Sequence, residues 1–122
     1  SDVEFQVGPE MQSFFGLKAI FARASEVFSK MFFEAGFREQ HEVAQPRVVV
    51  EITDIMPQAF QQLHRWVYDT DVELTWDTVF GVLEAARKYM VEDLELVCRR
   101  WVASEAQNAE GAIGLYAAAA AG

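Results

Sequence analysis

The run FFGLKAIFARASEVFSKMFFEAGF, residues 14–37, holds seven of the chain's ten phenylalanines. A globular domain must bury most rings of that size, so their spacing limits how the segment can fold. Phe21, Phe28 and Phe32 recur at helical spacing and fall on one face. Phe5 joins them from an upstream stretch that alternates polar and apolar residues. These four read as interior packing. Phe14, Phe15, Phe33 and Phe37 do not fit one face and flank two short helices, where a single copy leaves apolar area exposed. A contiguous patch of that kind marks a partner site.

The rest of the chain supplies a frame for that segment. Asp2-Val3-Glu4-Phe5-Gln6-Val7 alternates at the strand period and ends at Gly8-Pro9, which predicts a half-buried strand and a turn. Met11 to Phe15 is its hairpin partner. Leu17, Ile20, Phe21 and Ala24 make a short helix that Ser25 interrupts, and Ser25 caps the next one, with Glu26 suited to its positive end. Glu34 to Gln45 is polar and reads as a surface loop. Arg47 to Ile52 is β-branched at four of its six positions and predicts a strand. Pro57 opens a helix carrying Phe60, Leu63, Trp66 and Val67, which ends near Tyr68. Asp69-Thr70-Asp71 makes a turn and Val72-Glu73-Leu74 a brief strand. Thr75 caps a helix with Val79, Val82, Leu83, Ala86, Tyr89 and Met90 on its apolar face. A last helix carries Leu94, Val97, Cys98, Trp101 and Val102. The order predicts an α+β fold with a small sheet.

Composition narrows the function. With 122 residues the chain is one domain's worth, and a formal charge of −9 repels a nucleic-acid backbone. One cysteine excludes an internal disulfide and suits a reducing compartment. The start, SDVEFQVG, lacks a signal peptide's basic and apolar regions, and AIGLYAAAAAG is too short to cross a bilayer. The expectation is a cytoplasmic or nuclear protein that contacts neither nucleic acid nor membrane.

Residues for chemistry are sparse. His41 and His64 with one cysteine cannot make a tetrahedral zinc site. Cys98 falls on the apolar side of its helix, where a thiol is inert. Glu92, Asp93 and Glu95 read as a solvated first turn. The glycines match neither a phosphate-binding loop nor a dinucleotide fingerprint. No enzyme site and no cofactor is expected, so function falls to surfaces.

Four segments in order, SDVEFQV, FGLKAIFARASEVFSKMF, VVVEITDIMPQAFQQLHRWVYDTDVEL and TVFGVLEAARKYMVEDLELVCRRWV, together resemble a BTB/POZ domain. Asn108 to Tyr116 is similar to the first helix of the BACK domain that follows many such domains. The resemblance divides the chain into a BTB/POZ domain at residues 1–105 and the start of a BACK-type region at 106–122. It implies a small, mainly antiparallel sheet flanked by a cluster of short helices. Some family features are altered: Leu17 stands where the family usually has His, and Tyr68-Asp69-Thr70 replaces Tyr-Thr-Gly.

The resemblance also implies partners and sites. Homodimer contact falls on Phe14, Phe15, Leu17, Phe33 and Phe37. Docking of a cullin-3 ubiquitin-ligase scaffold falls on Leu63, His64, Tyr68, Val91 and Glu92, with Leu63 divided between core and interface. Arg65 reverses the Glu that many cullin-3-binding members carry there, and a reversed charge can remove an attraction. Asp2 and Lys18 match a charged pocket near the dimer face, or form a structural ion pair. The implied protein is a non-catalytic substrate adaptor whose substrate is held by domains beyond this chain. The alternative is a scaffold or transcriptional-corepressor recruitment module without ligase binding, which Arg65 favours.

Overall fold

The computed structural model describes residues 1–35 and 47–121. Strand β1, Val3–Val7, follows the alternation: Val3, Phe5 and Val7 are fully buried while Glu4 and Gln6 face outward. A turn through Gly8, whose φ of +79° suits glycine, leads to β2, Gln12–Gly16. The hairpin is antiparallel, with Phe5 opposite Phe14 and Glu4 opposite Phe15. β3, Val48–Ile52, pairs with the other edge of β1 in parallel, Phe5 opposite Val50, so the sheet order is β2-β1-β3. A parallel pair needs a crossover, and the chain leaving β2 supplies it through helices.

Those helices are α1, Lys18–Ala24, and α2, Glu26–Lys30, which runs into a π-helical turn at Met31–Ala35. Ser25 breaks the helix as its sequence position predicts. Its hydroxyl accepts from the Phe28 N–H at 3.0 Å and donates to the Tyr89 carbonyl at 2.5 Å, in a site where Ser25 is 1% exposed. One side chain thus caps α2 and ties it to a distant element. The central rings pack as the spacing requires. Phe5, Phe21, Phe28, Phe32 and Phe60 are all fully buried, and Phe5 lies within 4.8–6.4 Å of the other four ring centres.

The second half is helical: α3, Pro57–Asp69; α4, Val79–Lys88; and α5, Glu92–Ala121. Pro57 opens α3 as predicted, and Thr70 closes it in the left-handed conformation. Three local expectations change. Residues 72–74 are not a strand; the Glu73 N–H finds its acceptor in the Gln62 side chain at 2.8 Å instead of a strand neighbour. Thr75 opens a turn rather than capping α4 directly, since its carbonyl accepts from both Thr78 and Val79. Met90 sits at a φ of +54° between α4 and α5 and is 47% exposed, off the face that buries Tyr89. The predicted loop from Glu34 to Gln45, with Phe37 and His41, lies almost wholly outside the described residues. α5 continues unbroken over 30 residues, about 45 Å at the helical rise.

Candidate interaction surfaces

The first surface begins where β2 ends. Successive strand residues point to opposite faces, so Phe14 turns inward onto Phe60, ring centres 5.1 Å apart, while Phe15 turns outward and is 47% exposed. The Arg47 guanidinium lies 4.9 Å over the Phe15 ring and 3.7 Å from Glu4. Glu4 stands between Phe15 and Val49 on this outer face. Hydrogen bonds from Gln6 and Ser13, with the charge of Arg47, hold its carboxyl below the usual range against the opposing effect of burial. Leu17 is 44% exposed and Phe33, beyond α2, is 40% exposed. Of the five residues assigned to self-contact, Phe15, Leu17 and Phe33 present apolar area, Phe14 is half-buried, and Phe37 is outside the described residues.

Asp2 and Lys18 meet where α1 begins. The Lys18 N–H donates to Asp2 Oδ1 at 2.7 Å, which sets a carboxylate against the first residue of α1.

The second surface is the outer side of α3. Leu63 is fully buried there and Val91 is 1% exposed, so both are packing residues. For Leu63 this is the core half of its divided assignment, and for Val91 it runs against a docking role: helical spacing alone does not say which flank of an apolar stripe a neighbour covers. Glu92 is exposed at the start of α5. His64 and Tyr68, one turn apart, stack with ring centres 4.8 Å apart. Both reach back to the hairpin. His64 Nε2 lies 2.7 Å from the Phe15 carbonyl, and a carbonyl only accepts, so Nε2 carries the hydrogen. The Leu17 N–H donates to Tyr68 Oη at 2.8 Å. Gly16 lets these groups approach: a Cβ there would stand 2.5 Å from Phe21 Cε2 and 3.0 Å from Tyr68 Oη. The two surfaces are therefore joined at their backbone, a link that sequence reading missed; only the spacing of His64 and Tyr68 on one helix face hinted at it.

Arg65 has company that its sequence position did not reveal. Its Nη2 lies 2.5 Å from Asp71 and its Nη1 3.5 Å from Glu73, so one positive charge stands with two negative ones. Cys98 is fully buried, and burial, with a lesser push from Glu95, raises its thiol to about 11, far from a reactive thiolate. Among the described residues no group of three or more His, Cys, Asp or Glu could hold a metal, and no helix is long and apolar enough to cross a membrane.

A three-stranded sheet with one parallel and one antiparallel pair, packed with helices, is the arrangement that comparison assigns. The BTB/POZ domain family model matches residues 1–105. The chain belongs to the BTB/POZ family. Human BTB/POZ domain-containing protein 3 is 35% identical over 100 residues, which cover 80% of this chain and 18% of that protein. Zebrafish BTB/POZ domain-containing protein 6-A is 35% identical over 113 residues, 89% of this chain and 20% of that protein. The chain thus spans about a fifth of the length of these relatives. Among solved structures, the BTB domain of zebrafish PATZ1 matches with a TM-score of 0.66 at 19% identity, covering 84% of this chain and 75% of that one. The BTB domain of human gigaxonin matches at 0.61 and 18% identity, with 82% and 75% covered. BTB/POZ domains are protein–protein interaction modules, and that is the class of this chain. The family match ends at residue 105, whereas α5 runs on to Ala121.

Proposed function

We propose that this BTB/POZ chain is the self-pairing and recruiting module of a substrate adaptor: one face joins two copies, the other docks a cullin-3 ubiquitin-ligase scaffold, and further domains hold the substrate. The observation that carries the pairing is the contrast within one segment. Phe21, Phe28 and Phe32 are fully buried, while Phe15, Leu17 and Phe33 keep 40–47% of their surface in water. Leaving three large apolar groups solvated has a cost that a second copy removes. Pairing also links two substrate-holding arms and raises avidity. The continuation of α5 past residue 105 supports a BACK-type region beginning at 106.

For the ligase contact the supporting feature is the half-exposed His64–Tyr68 stack, since aromatic side chains are frequent interface anchors; Glu92 is exposed at the start of α5. Asp71 and Glu73 offset the reversed charge of Arg65 and leave that surface acidic. A scaffold or corepressor-recruiting module without ligase contact is the second reading, favoured by Arg65 itself.

Two measurements test this. Sedimentation equilibrium is expected to give a dimer; a monomer at high micromolar concentration removes the pairing. Calorimetric titration with the N-terminal fragment of cullin-3 is expected to show binding, and no heat at tens of micromolar moves the function to the second reading.

A further inference from the structure

The first turns of α3 and α4 touch through their smallest residues: a Cβ added at Gly81 would stand 3.0 Å from the Ala59 Cβ. Beside that contact the surface opens into a concavity of about 420 Å³ lined by Met56, Gln58, Asp77 and Thr78. On the other flank of Met56 lies a second concavity of about 260 Å³, between Pro57 and the hairpin-turn residues Pro9, Glu10 and Gln12. Met56 and Gln58 line both. Met56 is 57% exposed, as open to water as any large apolar side chain among the described residues. The charged residues that line the two concavities are of one sign. Glu10 stands in one concavity and Asp77 in the other, and neither is lined by a Lys or Arg.

We propose that this double cleft is a docking site for a peptide segment of another protein that carries a large apolar residue flanked by Lys or Arg. The thioether of Met56 is an adaptable apolar contact for the central side chain. Glu10 and Asp77 receive a cation on each side of it, and each stays in contact with water, so ion pairing does not require dehydrating an isolated charge. The chain's charge of −9 speeds the approach of such a segment, while the position of the two carboxylates sets its register. The site shares no residue with the pairing or ligase surfaces and stands whether or not those readings hold.

The test uses a phage-displayed random heptapeptide library selected on the full 122-residue chain. The expected enrichment is an aliphatic or aromatic residue with Lys or Arg on both sides. Acidic or charge-free winners, or no enrichment, overturn the proposal. The most enriched heptapeptide is then synthesised with a fluorescein label and titrated by fluorescence polarisation. Met56→Ser and Asp77→Lys are each expected to weaken binding about tenfold or more, while Glu51→Lys, the same charge change on the sheet's outer face, weakens it less than about twofold. Equal losses in Asp77→Lys and Glu51→Lys would mean that bulk charge alone attracts the peptide, and the site would be withdrawn. Circular dichroism melts of all three variants establish that each is folded.

Discussion

Replacing Ser25 by alanine tests how the two halves of the domain are held together. The hydroxyl caps α2 by accepting from Phe28 N–H at 3.0 Å, and it donates to the Tyr89 carbonyl at the end of α4 at 2.5 Å. Loss of a serine cap costs about 1 kcal/mol, within a usual range of about 0.5–2. The second loss is separate: a carbonyl deprived of its donor in a buried site costs about 1–3 kcal/mol. Ser25 is 1% exposed and Tyr89 3% exposed, so water does not readily replace the hydroxyl. Together the two give roughly 2–4 kcal/mol, a large part of the roughly 5–15 kcal/mol by which domains are stable. The assay is equilibrium unfolding in urea, followed by tryptophan fluorescence and far-ultraviolet circular dichroism. Protein concentration is held fixed, because pairing would couple stability to it. The midpoint is expected to fall with an unchanged slope. Ser25→Gly separates the contributions: glycine is tolerated as a cap at a cost of only a few tenths of a kcal/mol, yet it too abandons the Tyr89 carbonyl, so it should fall between wild type and alanine. A loss below about 0.5 kcal/mol in Ser25→Ala would refute the reasoning, since neither bond would then matter.

Gly16→Ala places a Cβ 2.5 Å from the Phe21 ring and is expected to cost about 1–3 kcal/mol in the same urea assay; a neutral result would mean that the ring and Tyr68 yield freely. Phe15→Asp combined with Phe33→Asp is expected to leave the circular dichroism spectrum unchanged and yield a monomer by sedimentation, and a persisting dimer would move the pairing surface elsewhere. Cys98, buried with its thiol raised to about 11, is expected to react with an aromatic disulfide reagent only as the chain unfolds; rapid labelling of the folded protein would contradict its burial. Hydrogen bonds from Lys88 hold the Asp54 carboxyl below its ordinary 3.8, with burial opposing. A folded-state value below the unfolded one means that the unfolded chain takes up the proton first, so this contribution is complete above the ordinary carboxyl range and lost as pH falls through the folded value. Asp54→Asn should flatten that acid-side decline in urea midpoint between about pH 5 and pH 2, and an unaltered decline would assign it to other carboxylates.

The three strands and the buried rings were legible in the sequence because their signals are local, whereas the parallel pairing of β3 with β1 was not. Val3, Phe5 and Val7 alternate, and a strand's geometry sends them to one side whatever lies there. Ser25 was legible for a similar reason: an N-cap acts within three residues of itself. Its second partner, Tyr89, is 64 residues away, and no spacing rule reaches that far. Val72-Glu73-Leu74 misled because an apolar–polar–apolar triplet fits a pleated surface only where a neighbouring strand is present. Here α3 lies alongside, and Gln62 satisfies the Glu73 N–H. Val91 misled differently, and Leu63 was open between core and interface for the same reason. Each has the right residue type for an interface core, but the same type fills an interior, and only the packing of α3 and α5 decides between them.

Motif position alone assigns His64 and Tyr68 to a docking face and Leu17 to a pairing face, as independent sets. In the fold the Tyr68 hydroxyl accepts from the Leu17 N–H, and His64 donates to the Phe15 carbonyl one residue before Gly16. Any partner that turns the Tyr68 ring must therefore break or tilt the bond that fixes the backbone of Leu17. A hydrogen bond of this sort, even at an exposed site, contributes at most on the order of 1 kcal/mol, which alters an equilibrium about fivefold. Coupling between the two faces then needs no long pathway. Under the proposed function it needs only that the same two side chains serve both, and Tyr68→Phe, which deletes one oxygen while the stacked ring remains, is expected to remove it on the Tyr68 side.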